Sequence, residues 1–229
     1  MSSESSAAPQ PLSFLRANME IVIAILLGLV SIATAYASFQ STLYDGNMTQ
    51  NYTKGSNLST EAESLYLEGN QQYVQDAQLF DRLTDLQLDA QNPDPGIAAA
   101  AQEKYDIIYF QSVSEEFGAA IDWADQQNAA DPEVYYSPLD NEDYQAFLFG
   151  TYAETKDQAD AMIAAGDEAN SLSDRLTLNT VLMALSLFLL GIAALVKKFR
   201  VQAILVSVAV VIFVVAAALT AAIPMLWLG

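Results

Sequence analysis

The sequence predicts an all-α membrane protein in which three transmembrane helices carry an extracytoplasmic bundle of about three helices, continuous with the first and second spans. Three observations predict this class. Three long runs are apolar and uncharged, basic residues cluster beside them, and the acidic stretch between the first two runs keeps a helical period. Because 52% of the 229 residues are hydrophobic while the net charge is -19, apolar and acidic residues must be segregated along the chain.

The three spans are predicted at residues 19–39, 176–196 and 201–223. Each is long enough for a hydrocarbon core of about 30 Å, which a helix of roughly 17 to 25 residues crosses. The length of the first run favours a retained anchor over a cleaved signal peptide. Residues 224–229 then form a short tail at the outer interface, where a tryptophan ring is favourable.

Basic residues predict the orientation of these spans. Arg16 precedes the first span, and the link at 197–200 between the second and third spans carries three of the nine basic residues. Basic loops stay on the cytoplasmic side. The low-complexity tail at 1–18 is therefore predicted to be disordered and cytoplasmic, and residues 40–175 are predicted to be extracytoplasmic, with the chain in the plasma membrane.

The acidic segment between the first two spans is predicted to form the helical bundle. Its first helix continues from the first span to a turn at 91–96 that contains two prolines, and the second covers 97–128. The third helix begins near 142, capped by Asp140 or Asn141, and continues into the second span without a breaker. Glycines weaken the first helix, and a break or kink is expected between Asp45 and Ser59.

The composition excludes much of the enzyme repertoire. The chain has no cysteine and no histidine, so it lacks thiolate nucleophiles, thiolate metal ligands and the commonest general base. The acidic clusters at 115–116 and 140–143 lack the alternating ligand spacing of a calcium loop. We therefore predict no enzymatic activity, no catalytic residues, no cofactor and no metal site. The strong negative charge also excludes a nucleic acid as partner.

Two candidate sites lie outside the predicted membrane spans. Three N-glycosylation sequons begin at Asn47, Asn51 and Asn57, and their use depends on a host that glycosylates. An aromatic loop carries Tyr135 and Tyr136, which together with Trp123 are predicted to line a site for a ligand or a partner.

Small residues form stripes on two of the predicted spans. Because small residues let helices approach closely in lipid, each stripe is either a seam within one chain or an interface between copies. The residues are Gly28, Ser31, Ala35 and Ser38 on the first span, and Ala184 and Gly191 on the second.

Several motifs resemble a widespread family of prokaryotic three-pass membrane proteins whose function is not established. Tyr36 to Gly46 is similar to the family's aromatic-glutamine pair followed by an aromatic-x-glycine, with Tyr44 where relatives often carry tryptophan. Residues 173–191 resemble its entry to the second span, and Ser137-Pro138 with Asp143-Tyr144 resembles the loop before its last outer helix. The resemblance implies the same three-span layout and a helical outer domain, and it implies no activity.

The leading functional hypothesis is a non-enzymatic membrane scaffold or accessory subunit, which acts in the lipid bilayer by homo-oligomerisation or by binding another membrane protein through its outer bundle. One alternative is a sensor whose aromatic loop binds a ligand. A second alternative is an oligomeric channel, in which Asn179 or Ser186 would line a pore between copies.

Overall fold

The computed structural model describes residues 18–227, so the predicted tail at 1–18 lies almost wholly outside the described residues. Within this range the chain is helical and contains no strand. Three of its helices are long and apolar enough to span a membrane. The helices are α1 (Met19–Asp89), α2 (Pro95–Ser112), α3 (Glu115–Ala130), α4 (Glu142–Leu195) and α5 (Phe199–Ala221), with a 3-10 turn at Pro138–Asp140.

Local capping explains where α2 and α4 begin. The Asp94 carboxylate accepts a hydrogen bond from the Gly96 amide at 2.8 Å, and Pro95 occupies the first helical position, where its missing N–H costs nothing. Asn141 caps α4 by accepting a hydrogen bond from the Tyr144 amide at 2.9 Å. Of the two predicted caps for this helix, Asn141 is therefore the one that makes this bond.

Of the break or kink expected between Asp45 and Ser59, the break is absent, because α1 is helical throughout that range, and the kink stays a prediction. Glycine lowers helix propensity, yet packing overrides that penalty where a neighbouring backbone lies close. A Cβ added to Gly55 would lie 3.1 Å from the Ala159 carbonyl oxygen, and one added to Gly69 would lie 2.5 Å from the Leu148 carbonyl oxygen. These two glycines therefore allow α1 and α4 to approach each other closely.

The helix predicted over 97–128 is wrong in one respect, since it is divided into α2 and α3. Val113 is extended, and Ser114 caps α3 by accepting a hydrogen bond from the Phe117 amide at 3.2 Å. The apolar stripe continues across this corner with almost helical spacing. The pattern of the sequence therefore gave no sign that the helix is interrupted there. Residues 53–163 therefore contain four helical segments besides the 3-10 turn, where about three were predicted.

The chain divides into two compact units, of which the first comprises residues 18–52 and 164–227 of the described chain. Its core is formed by α1, α4 and α5, with one cluster around Val30, Met183 and Leu190 and a second around Tyr44 and Leu176. Buried residues on α1 recur every seven residues, at Ile23, Val30, Ala37 and Tyr44. This is the spacing of helices that pack at a small left-handed angle.

The second unit comprises residues 53–163 and contains the remaining parts of α1 and α4 together with α2 and α3. Phe117 of α3 is fully buried at the centre of its core and packs against the rings of Phe80 and Tyr144. On α1 the buried positions again follow a seven-residue repeat, namely Gly55, Ala62, Gly69, Asp76 and Leu83. One member of this apolar series is thus a carboxylate.

Candidate functional site

In the first unit, two side chains of α1 hold the segment that follows α5. The Gln40 amide donates a hydrogen bond to the Leu226 carbonyl oxygen at 3.1 Å and accepts one from the Leu226 amide at 2.9 Å. The Tyr44 hydroxyl donates to the Pro224 carbonyl oxygen at 2.7 Å. Both residues belong to the Tyr36–Gly46 motif, whose spacing carried the family resemblance but gave no indication of this role.

A small hydroxyl cluster joins α1 to α4 beside these contacts. The Ser41 hydroxyl lies 2.9 Å from that of Ser173 and 3.0 Å from that of Thr177. Ser41 and Ser173 are both buried. Such short side chains satisfy one another without separating the helices, so the cluster fixes their relative register.

The small-residue stripe on α1 does not lie in the core of its own chain. Gly28, Ser31, Ala35 and Ser38 are all exposed, and no atom lies within 4 Å of a Cβ added to Gly28. Ala24 and Thr42 are exposed too and extend the same face, with spacings alternating between four and three residues. A seam within one chain is therefore the wrong interpretation of this stripe.

The two small residues on α4 are also outside the intramolecular core. Ala184 is exposed, Gly191 is half-buried, and no atom lies within 4 Å of a Cβ added to Gly191. By contrast, the candidate pore residues are buried within one chain. Asn179 is 3% exposed, and Ser186 is fully buried and donates a hydrogen bond to the Ala209 carbonyl oxygen of α5 at 2.8 Å. Neither side chain is presented to a second copy.

The three sequons all lie within the continuous helix α1. Asn47 and Asn57 are exposed, whereas Asn51 is half-buried. Because Asn51 is partly covered within the folded chain, the three sequons are not equally accessible. Whether any of them is glycosylated stays a prediction.

The predicted aromatic site is only partly assembled in the second unit. The Trp123 and Tyr136 rings meet edge to face with centroids 6.0 Å apart, while Tyr135 is 73% exposed. Asn128 holds the loop in place, since its side chain exchanges two hydrogen bonds with the Tyr136 backbone at 2.8 and 2.9 Å. A cavity of about 280 Å³ next to Trp123 is lined by neither tyrosine of the loop.

A different cleft, which the sequence did not indicate, lies between α1 and α4 in the second unit. It has a volume of about 330 Å³. Its lining residues include Leu148, Glu68, Gln72, Ser114, Phe147 and Tyr152. We call it the α1/α4 cleft.

A buried carboxylate, that of Asp76, is hydrogen-bonded to Gln72, one of the residues that line this cleft. Asp76 is 3% exposed, and the same carboxylate oxygen accepts hydrogen bonds from the Tyr144 hydroxyl at 2.6 Å and from the Gln72 amide at 2.9 Å. Burial raises the pKa of Tyr144 above its usual range, and the hydrogen bond to Asp76 raises it further. Tyr144 therefore remains a hydrogen-bond donor at neutral pH. Among residues 18–227, no basic side chain forms a salt bridge with Asp76.

Within the described range, no three acidic, cysteine or histidine side chains are grouped closely enough to hold a metal ion. The fold is that of a helical protein with three candidate membrane-spanning helices. No family model, curated protein sequence or solved structure matches the chain. The resemblance to a prokaryotic three-pass family therefore stays a prediction.

Proposed function

We propose that this chain is a non-enzymatic membrane scaffold or accessory subunit that associates with a second copy through the small-residue face of α1. The observation that carries the proposal is the exposure of Gly28, Ser31, Ala35 and Ser38 in an otherwise well-packed unit. Elsewhere the exposed surface of this part of α1 consists of large apolar side chains such as Ile25, Leu29 and Ile32.

The contrast between these two surfaces supports association between copies. Large apolar side chains fill space against lipid tails, whereas a small-residue face leaves a shallow groove that a neighbouring backbone can enter. The alternating spacing from Ala24 to Thr42 is that of a left-handed helix pair. Copies inserted in the same direction would present this face to each other at equal depth.

In the proposed topology, the N-terminus is cytoplasmic and residues 40–175 lie outside the plasma membrane. Support comes from Lys197, Lys198 and Arg200, which are all exposed at the short link between α4 and α5. Arg16, which precedes α1 in the sequence, adds to it. Single cysteines test this orientation. Ser112→Cys is expected to react with a membrane-impermeant maleimide in intact cells, and Lys198→Cys only after lysis. The reverse pattern would refute the orientation.

Because the chain lacks cysteine, disulfide crosslinking tests the interface directly. Under oxidation in native-lipid membranes, Ser31→Cys is expected to give a covalent dimer, since a close helix pair brings the two Cα atoms within disulfide reach. Leu29→Cys is the matched control. It is exposed at nearly the same depth but points about 160° away around the helix.

The crosslinking yields distinguish a specific interface from random collisions between copies. Efficient dimers from Ser31→Cys and Ala35→Cys, with little from Leu29→Cys, support the proposed interface. Equal yields at all three positions, or no dimer from either stripe position, refute it. An Ala35→Leu substitution, which fills the groove, is expected to lower the Ser31→Cys dimer yield.

A ligand-binding module is the second candidate function, because the α1/α4 cleft is a preformed cavity with convergent polar groups. The channel alternative receives no comparable support, since Asn179 and Ser186 are buried within one chain.

A further inference from the structure

Two polar side chains that line the α1/α4 cleft, Glu68 and Gln72, present hydrogen-bond acceptors. Glu68 lines the cleft, and among the residues that the structure describes no partner forms a salt bridge or hydrogen bond with its carboxylate. The side-chain NH₂ group of Gln72 donates one hydrogen bond to Asp76, and among the described residues the Gln72 carbonyl oxygen accepts none. These two side chains therefore offer acceptors and negative charge, beside the hydroxyl groups of Ser114, Thr151 and Tyr152.

Aromatic rings form another part of the lining. Phe147 is half-exposed, and Tyr152 packs against Tyr66 with ring centroids 5.3 Å apart. The faces of such rings attract cations, and the attraction strengthens where water is partly excluded. Together with the lining residue Leu148, these rings also favour an apolar group on the ligand.

The negative charge around the cleft favours a cationic ligand over an anionic one. Residues 53–163 contain 22 acidic and four basic residues, and none of the four lines the cleft. Asp76, which accepts a hydrogen bond from the lining residue Gln72, adds a further buried acidic side chain that has no salt-bridge partner in the described chain. An anion would be repelled by the same field.

We infer that the α1/α4 cleft binds a small organic ammonium ion, with the ammonium group at Glu68 and Gln72 and the apolar part against Phe147 and Leu148. The volume of about 330 Å³ lies at the small end of the range for ligand sites and suits a ligand about the size of one aromatic amine. This inference is independent of the proposed self-association, because the cleft residues all lie in the second unit and the α1 stripe lies in the first.

Calorimetric titration of the full chain in lipid nanodiscs tests the inference. The probes are benzylamine, which is cationic at pH 7, and benzyl alcohol, its neutral counterpart of nearly equal size, with empty nanodiscs as the blank. Benzylamine is expected to bind at least about tenfold more tightly than benzyl alcohol. Equal affinities, or no saturable binding of the amine, would overturn the inference.

Two variants locate the binding. Glu68→Gln is expected to weaken benzylamine binding by about tenfold or more, whereas Glu63→Gln, which removes the same charge from an exposed site on α1 outside the cleft, changes it little. Phe147→Ala, at a half-exposed position in the cleft lining, is expected to weaken the binding of both probes. If Glu68→Gln and Glu63→Gln lower the affinity for benzylamine equally, the amine is attracted only by the general surface charge and the inference fails.

Discussion

The side-chain amide of Gln40 pairs with the backbone of Leu226 through two hydrogen bonds, as one strand pairs with another. This pairing joins residues that are 186 positions apart in the sequence. Tyr44, one turn further along α1, adds the hydroxyl bond to Pro224. The end of the described chain is therefore a fixed part of the first unit.

Gln40→Leu is expected to release this segment, because the Leu226 amide loses its acceptor. The expected cost is about 1 to 3 kcal/mol, as for a buried hydrogen-bonding pair that loses one partner. Hydrogen-deuterium exchange at the Leu226 amide measures the release directly. Gln50→Leu, an exposed position on the same helix, provides the control and should leave that exchange rate unchanged. Continued protection of Leu226 in Gln40→Leu would show that other contacts hold the segment.

Two glycines of α1, Gly46 and Gly69, are predicted to respond in opposite directions to substitution by alanine. Gly46 has no atom within 4 Å of an added Cβ, so Gly46→Ala should stabilise the helix by about 0.5 to 1 kcal/mol. Gly69→Ala should instead destabilise by about 1 to 3 kcal/mol, because the new Cβ would meet the Leu148 carbonyl oxygen of α4. Thermal unfolding of the full chain in detergent measures both shifts. Stabilisation by Gly69→Ala would mean that α1 and α4 separate at little cost.

The positions of the helices were largely predictable, because they depend on local signals. The proline-rich turn at 91–96 and the cap at Asn141 lie where capping and breaker rules place them. The continuity of α1 was not predictable, because Gly55 and Gly69 weaken an isolated helix and only the neighbouring backbone of α4 explains their presence. A single sequence gives the helix propensity of each residue, but it does not show which residues another helix approaches.

The bond between Tyr144 and Asp76 is predicted to stabilise the second unit. Tyr144→Phe preserves the ring packing against Phe117 and removes the hydroxyl that satisfies a buried carboxylate, which should cost about 1 to 3 kcal/mol. Tyr152→Phe is a suitable control, because its hydroxyl makes no hydrogen bond among the described residues. In an Asp76→Leu background the effect of Tyr144→Phe should shrink, since the acceptor is gone. An undiminished effect would contradict the assigned pairing.

The same tyrosine predicts a loss of stability in alkali. The pKa of Tyr144 in the folded chain is raised from the ordinary value of 10.0, mainly by burial. Below pH 10 both states keep the proton, so the contribution is fully present. As pH rises above 10 the unfolded state loses the proton first, and the free energy of unfolding should fall by about 1.4 kcal/mol per pH unit for one such group.

Stability measured from pH 8 to 11.5 should fall less steeply in Tyr144→Phe, and an unchanged slope would contradict the prediction. Burial also raises the pKa of Tyr105 and Tyr109, so part of the slope should persist.

The candidate sites were less predictable than the fold. The α1 stripe was visible as a pattern, but its exposure follows from the buried heptad at Ile23, Val30 and Ala37, which occupies a different face of the helix. Ser114 lines the α1/α4 cleft and caps the start of α3, at a corner that the apolar pattern of the sequence does not reveal. The available signal was a serine followed by Glu115 and Glu116, a typical helix start that the apolar period obscured.

Ser114 caps the first turn of α3 at the corner that follows α2. Its hydroxyl accepts the Phe117 amide, and Phe117 is the fully buried residue around which the second unit packs. Ser114→Ala is expected to cost about 1 kcal/mol and to speed amide exchange at Phe117, whereas Ser112→Ala, at an exposed position two residues earlier, should do neither. If Ser114→Ala were instead stabilising, α2 and α3 would prefer to continue as one helix. The corner would then be held by the packing of Phe117 and not by its cap.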